Sequence, residues 1–214
     1  KELILGYSGY KKINKTFLNK IIRYETLLTA IQYFSYLKVG FPYMGVGRNL
    51  AYTKDIFFKN SGFVNHIHVS SGDDDLFVNH AANAKNTSCQ YSTLSHTLSN
   101  PKATWKSWIH QKSRHLSTAS HYKTKHKLTL GLYFFSKIVM LILAIILLLN
   151  ASHIAAVLIG LSVFYILMSI VFGISSKKLD EKDLFFWLPL LELCLICIQL
   201  FIFIKNIHKK PSHW

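Results

Sequence analysis

The pattern of hydrophobic and polar positions changes once along the chain, near residue 128. Residues 1–127 mix polar and apolar positions, with helical and strand-like periods in turn. Residues 128–204 are almost continuously apolar. The pattern therefore predicts an α/β soluble lobe over 1–127 and a membrane region over 128–214.

Three apolar segments of the membrane region are long enough to cross a bilayer, because a spanning helix needs about 20 apolar residues. A short turn at 150–153 would join the first two segments, and a charged loop at 175–183 would join the second and third. The segments are 128–149, 154–174 and 184–204.

Charged side chains interrupt two of these segments. Lys137 lies in the first, where a charge at bilayer depth is costly, so we expect it to reach the headgroups or to face the lobe. Pro189 and Glu192 lie in the third. That segment therefore either spans the membrane or enters and leaves on one side.

Basic residues indicate the orientation, since loops rich in Lys and Arg tend to stay in the cytoplasm. They flank the first segment on its lobe side and fill the loop at 175–183, whereas the turn at 150–153 has none. We expect the lobe and the 175–183 loop to share the cytoplasmic side. The lysines after residue 204 fit this pattern only if the third segment does not cross.

The lobe alternates predicted strands and helices. Thr53 is a candidate N-cap for the second helix, and the last helix is basic and carries tryptophans, which suits a membrane interface. The predicted strands are 2–8, 50–52 and 89–98, and the predicted helices are 16–37, 53–60, 73–83 and a basic interfacial helix over 105–127.

The formal net charge of +15 lies mostly in the lobe. A basic surface binds nucleic acid, anionic lipid or a phosphorylated substrate. No nucleic-acid-binding motif is present in the sequence, and the apolar segments favour the other two partners. Three cysteines are too few and too scattered for a disulfide framework, which fits a reducing compartment.

Three short stretches of the lobe carry candidate chemistry. Gly45–Tyr52 contains small residues that let backbone approach a ligand, although such a turn can be purely structural. Asp73, Asp74 and Asp75 repel one another, so one of them could act as a general base; they could also bind a divalent metal or simply begin a helix.

The third stretch is Gln111-Lys112-Ser113-Arg114-His115. Gln111, Arg114 and His115 share one face of a helix because they are three and four residues apart. The Arg114 guanidinium suits phosphate oxygens. The alternative is an interfacial basic helix held by its tryptophans.

The order of these stretches, followed by apolar helices, resembles that of bacterial family 2 glycosyltransferases with a nucleotide-sugar-binding fold. Gly47 and Asn49 match the part of the family's acceptor pocket that contains a Gly-x-x-Asn-like stretch. Residues 72–76 match the acidic motif that supplies the catalytic base. If Asp75-Leu76 is aligned with the family's Asp-Leu pair, the base is Asp73, which is the assignment that we slightly prefer. If the first two acids are aligned with the family's Glu-Asp pair, the base is Asp74.

The family's Gln-x-x-Arg-Trp motif matches Gln111, Arg114 and His115, with histidine in place of tryptophan. The resemblance implies that Gln111 and Arg114 contact the donor diphosphate and that His115 lies at the acceptor, while the departure leaves processive synthesis open. It implies an inverting transfer from a nucleotide sugar to a lipid-linked or saccharide acceptor at the bacterial inner membrane.

The resemblance also implies a divalent metal, Mg²⁺ or Mn²⁺, held by an Asp-x-Asp site in a donor-binding half. No residue of this chain is assigned as a metal ligand, and we expect the ligands upstream of Lys1. Residues 1–214 alone should then be inactive. The rival interpretation is a non-enzymatic membrane protein whose basic cytoplasmic lobe binds anionic lipid.

Overall fold

The computed structural model describes residues 1–13, 16–69, 71–151 and 153–208. The described chain is mostly helical, with a few short strands in the lobe. The helices are α1 (Phe17–Lys38), α2 (Lys54–Lys59), α3 (Asp73–Ala81), α4 (Trp105–Ala119), α5 (Thr124–Leu149), α6 (Ile154–Lys178) and α7 (Leu188–His208). The strands are β1 (Leu3–Gly6), β2 (Ser8–Tyr10), β3 (Leu50–Tyr52), β4 (Thr87–Gln90) and β5 (Thr97–Ser99).

The main sheet has the order β3-β1-β4, with β3 antiparallel and β4 parallel to the central strand. Alternation along β1 buries Leu3 and Leu5 completely under the helices, whereas Ile4 on the opposite face is 41% exposed. The strand predicted at 2–8 divides at Tyr7, and its second part, β2, pairs with β5 in a separate sheet.

The predicted strand at 89–98 is wrong in its middle. A 3-10 turn at Thr93–Ser95 separates β4 from β5. The backbone carbonyl of Ser92 accepts hydrogen bonds from the Ser95 N–H at 2.9 Å and the Ser95 hydroxyl at 2.7 Å. Serine hydroxyls stabilise such turns. The alternation of apolar residues therefore continues through a turn here and does not mark a single strand.

The predicted basic helix over 105–127 is also wrong as a single helix. It ends at Ala119, and α5 begins at Thr124. Asn79 fixes the break, because its Oδ1 accepts from the Lys123 N–H at 3.0 Å and its Nδ2 lies 2.9 Å from His126 Nδ1. The first apolar helix therefore starts inside the lobe rather than at residue 128.

Other predicted elements are confirmed. Helix α1 matches the predicted 16–37 helix, and the Thr53 side chain caps α2 by accepting from Ile56 N–H. The three cysteines are free. Ser152 of the predicted 150–153 turn and residues 209–214 lie outside the described residues.

Helix α6 continues through Lys178, so the predicted loop over 175–183 is helical in its first part. The connection that follows is bound to the lobe: Arg23 of α1 donates to Glu181 at 2.8 Å from Nε and to Asp183 at 2.9 Å from Nη1. The lobe and this connection thus lie together, as the charge pattern predicts.

Three stretches of the described chain are long and apolar enough to cross a membrane: Thr124–Leu149, Ile154–Lys178 and Lys182–Ile207. Lys137 does not reach toward solvent; its Nζ lies 2.5 Å from Glu192 Oε1 of α7. The two charges that interrupt the apolar pattern therefore neutralise each other.

Candidate functional site

The acidic stretch begins helix α3 and packs directly against α4. Gly72 has φ of +78°, and a Cβ there would lie 2.3 Å from the Thr118 Cγ2 atom. The Thr118 hydroxyl also donates to the Ser71 carbonyl at 2.9 Å. The left-handed conformation and the close approach both require glycine. This contact joins the acidic stretch to the helix that carries Gln111 and Arg114.

The three aspartates have different surroundings although they are consecutive. Asp73 is exposed, whereas Asp74 and Asp75 are partly buried. The backbone carbonyl of Asp73 lies 3.2 Å from His66 Nε2. Successive residues on a helix point about 100° apart, so only part of the triplet can face one site.

The Asp74 carboxylate joins the acidic stretch to the glycine-rich stretch. Its Oδ2 accepts a hydrogen bond from the Gly47 N–H. A Cβ on residue 47 would lie 2.7 Å from the same oxygen, so glycine is needed for this approach. Burial raises the pKa of Asp74, and the hydrogen bond from Gly47 opposes that shift.

Asp75 is coupled to the lobe interior. Burial, followed by repulsion from Asp74, raises its pKa well above the ordinary range, while Tyr122 and Lys112 act in the other direction. Lys112 itself forms an ion pair with Glu25 of α1 at 2.5 Å. Asp75 is therefore bonded to Tyr122 in the lobe interior and is affected by the charge of Lys112, which joins α4 to α1 through Glu25.

Helix α4 starts at an N-cap, Thr104, whose side chain accepts from the Ser107 N–H at 3.2 Å. The turn of α4 from Gln111 to His115 immediately precedes Thr118, the residue that contacts Gly72 at the start of α3. Partial burial, followed by the positive charges of Lys112, Arg114 and Arg48, lowers the pKa of His115 to about 3. At neutral pH, His115 is therefore an uncharged imidazole among cations, although it remains accessible to solvent.

Two polar atoms of α4 are buried without a hydrogen-bond partner in the described part of the chain. They are Gln111 Oε1 and Trp108 Nε1. Buried polar atoms are normally satisfied, because an unmade hydrogen bond costs about 1–3 kcal/mol. Both atoms leave hydrogen-bonding capacity on α4 that a water molecule or a ligand could use.

Asn49 has a structural role that its sequence match did not indicate. Its Nδ2 donates to the Tyr7 carbonyl at 2.6 Å and to the Ser95 carbonyl at 2.7 Å. These bonds tie the 3-10 turn at Gly47–Asn49 to both sheets. The neighbouring Arg48 donates to the Ser8 and Gly9 carbonyls, each at 3.2 Å, and lies over the Tyr10 ring.

The residues present do not fit the metal that the family resemblance implies. Among residues 1–13, 16–69, 71–151 and 153–208, no three His, Cys, Asp or Glu side chains are grouped to hold a metal ion. No step below is routed through a metal.

Sequence reasoning missed several residues near the site. Glu25 lies in none of the candidate stretches, and Arg48 lies in the first stretch but was not assigned a role. Folding brings Glu25 to Lys112 and places the charge of Arg48 near His115. It also missed a cavity of about 210 Å³ on the far face of α3. The sequence feature that could have indicated this cavity is the pair of histidines His66 and His68. They line the cavity together with His80 and His121.

Searches of family models, curated proteins and solved structures found no match to this chain. The class that the structure defines is therefore a lobe of helices and short strands joined to long apolar helices of membrane-protein type.

Gly72→Ala should unfold or displace the α3–α4 contact. Alanine in the left-handed region costs about 1–2 kcal/mol, and the methyl group would also overlap Thr118, so we expect a stability loss of at least about 2 kcal/mol. The measurement is thermal unfolding of the detergent-solubilised protein. Gly160→Ala is the matched control, because nothing lies within 4 Å of a Cβ there; equal melting temperatures for the two variants would contradict the prediction.

Proposed function

We propose that this chain forms the acceptor-side part of an inverting family 2 glycosyltransferase. The enzyme transfers a sugar from a nucleotide-sugar donor to a lipid-linked or membrane-proximal saccharide acceptor, in cell-envelope polysaccharide synthesis. The observation that carries the proposal is the convergence of three sequence-distant stretches: Asp74 lies on Gly47, and Gly72 lies on Thr118, one turn beyond Arg114.

Asp74 is the general base in this proposal, with Asp73 as the second candidate. Asp74 takes the proton of the acceptor hydroxyl, whose oxygen attacks the anomeric carbon of the donor sugar. The bond from that carbon to the diphosphate oxygen breaks, and the nucleoside diphosphate leaves with the bonding electrons. A raised pKa makes the Asp74 carboxylate a stronger base than an exposed aspartate.

Arg114 and Gln111 are the residues that we assign to the donor diphosphate. Fixed cations and amide donors stabilise the charge that develops on a leaving diphosphate. After burial, the positive charges of Lys112, Arg114 and Arg48 lower the pKa of His115 further, and an anionic ligand would neutralise these charges. Neutral His115 and the backbone of Gly47 would then border the acceptor.

The proposed donor-binding half would cover the open face of the main sheet. Ile4 in the centre of that sheet is 41% exposed, and its paired residue on β3, Ala51, is exposed on the same face. In doubly covered α/β sheets, such positions are buried on both faces. The same half would supply the metal ligands.

We place the enzyme in a bacterial inner membrane with the lobe in the cytoplasm, where nucleotide sugars are available. The support is the lysine bias of the connection at 177–182, which the structure attaches to the lobe. The acceptor would then be reached from the headgroup region.

The test compares Arg114→Ala with Arg114→Lys in the complete gene product. Loss of the guanidinium should weaken donor binding and lower turnover, each by roughly ten-fold or more, because charged hydrogen bonds contribute about 1.5–3 kcal/mol. Lysine should restore only part, since an ammonium lacks the planar fork. The measurements are steady-state sugar transfer and calorimetric donor binding.

Lys106→Ala is the matched control, because Lys106 is an exposed cation on the same helix. It should leave both measurements unchanged. If the lobe is only a lipid-binding surface, Arg114 and Lys106 should instead contribute equally to the binding of anionic vesicles, and no transfer should be detected. That result would overturn the proposal.

A further inference from the structure

Helix α7 has one face packed on protein and one apolar face open. Leu188, Leu191 and Leu195 on the buried face belong to the same core cluster as the lobe helices, whereas the opposite face carries large exposed side chains. The buried positions are Leu188, Leu191, Leu195 and Ile202, and the exposed positions are Leu190, Leu193, Phe201, Ile204 and Ile207. The two sets recur at helical spacing on opposite faces.

Both ends of α7 touch the soluble lobe. Near its start, Glu192 accepts from the Tyr24 hydroxyl of α1 at 2.7 Å. Near its end, Asn206 Nδ2 donates to the Ser113 carbonyl of α4 at 2.9 Å, and the Ser113 hydroxyl bonds back to Asn206. These anchors are 14 residues apart, or about 21 Å along a helix.

The anchoring helix α4 is too polar to lie in hydrocarbon. It carries Lys106, His110, Lys112 and Arg114 within three turns, and each charge would be costly at bilayer depth. A helix held at both ends to the lobe stays near the depth of the lobe. Crossing a hydrocarbon core of about 30 Å would instead move one end of α7 away from it.

We infer that α7 lies along the membrane surface beneath the lobe and does not cross the bilayer. Its open apolar face inserts at the boundary between lipid headgroups and acyl chains. The partner is the phospholipid bilayer itself, because the exposed apolar surfaces of α5 and α6 leave the lobe in the same region. The anchors Lys137 and Glu192 connect α5 to α7 there.

Two further observations agree with this placement. Of the apolar window of α7, 33% is buried in protein, against 0% for α5 and α6. Only α5 and α6 would then cross, so Lys205 would stay on the same side as Lys177 and Lys178, as the positive-inside bias favours. The inference does not depend on the proposed enzyme activity.

Cysteine accessibility in sealed vesicles tests the path of the chain. In a background in which Cys89, Cys194 and Cys197 are replaced by serine, single cysteines are introduced as Lys177→Cys, Ala151→Cys and Lys205→Cys, and each is probed with a membrane-impermeant maleimide. We expect Lys205→Cys to react on the same side as Lys177→Cys and opposite to Ala151→Cys. Reaction of Lys205→Cys on the side of Ala151→Cys would show that α7 spans.

Spin labels test the lipid contact directly. Labels introduced by Leu193→Cys, Leu200→Cys and Ile207→Cys should report one shallow depth when oxygen and a water-soluble nickel complex compete for collision. A helix that crosses would give depths that rise to the bilayer centre and fall again. Labels that contact only water, or that are immobilised by protein with no lipid contact, would equally overturn the inference, the latter in favour of a second protein copy.

Discussion

Asp74→Asn should lower sugar transfer by about two to four orders of magnitude in the complete enzyme, the usual contribution of general acid–base catalysis. Asparagine is nearly isosteric, and its side-chain oxygen can still accept from the Gly47 N–H. Folding should therefore survive while the proton acceptor is lost. Donor affinity should hardly change, because the base acts on the acceptor hydroxyl.

Asp73→Asn is the internal control for this prediction. Its side chain is exposed at the rim of the site, so turnover should change by less than about ten-fold. The measurements are steady-state transfer and donor binding for both variants. The opposite ranking would make Asp73 the base, and full turnover in both variants would remove the acidic stretch from the chemistry.

The pH profile of the unmodified enzyme gives a second readout. The base works only when it is deprotonated, and burial raises the pKa of Asp74. Turnover should therefore fall, as the pH decreases, at a higher pH than the ordinary aspartate value of about 3.9. Asp73→Asn should move this acid limb slightly to lower pH, because the charge of Asp73 helps to raise the pKa of Asp74 after the larger effect of burial.

Arg23→Ala should destabilise the protein by about 3–5 kcal/mol, the usual cost of removing one partner of a buried ion pair. Arg23 and Glu181 are each 3% exposed, and Arg23 also bonds Asp183. Without the guanidinium, Glu181 is a buried carboxylate that keeps the hydrogen bond from Tyr7 at 3.2 Å. The lobe should then detach from the connection between α6 and α7.

Lys12→Ala is the matched control, because Lys12 pairs with Asp180 of the same connection at 3.3 Å but both side chains are exposed. An exposed pair contributes about 0–1 kcal/mol, so this variant should melt close to the unmodified protein. Thermal unfolding in detergent gives the comparison. Equal melting temperatures for Arg23→Ala and Lys12→Ala would mean that the buried pair does not hold the lobe in place.

The sequence by itself determined the division of this chain into a lobe and apolar helices. A run of about 20 apolar residues predicts a membrane helix by itself. A helix in hydrocarbon needs such a run whichever other elements it contacts. Helix α1 and the Thr53 cap were also predictable, since periodicity and capping act within a few residues.

Elements whose ends depend on distant residues could not be predicted. The break between α4 and α5 exists because Asn79, more than 40 residues earlier, bonds Lys123 and His126. The turn that interrupts the strand predicted at 89–98 also has a distant partner, because Asn49 Nδ2 donates to the Ser95 carbonyl. Local patterns contain no record of these partners.

The candidate site shows the same division. The residue types of the three stretches indicated their chemistry, but all three aspartates looked alike in sequence. Tertiary structure distinguished them, leaving Asp73 exposed, placing Asp74 on Gly47 and coupling Asp75 to Tyr122 and Lys112. It likewise gave Asn49 a structural role.

Tertiary contacts also decided the environment of the third apolar segment. Its composition suits a spanning helix, and Glu192 alone left the path open. The structure pairs Glu192 with both Lys137 and Tyr24, and it fastens Asn206 to Ser113. Composition measures only how well a helix tolerates lipid, whereas the contacts along its length determine which of its faces lipid can reach.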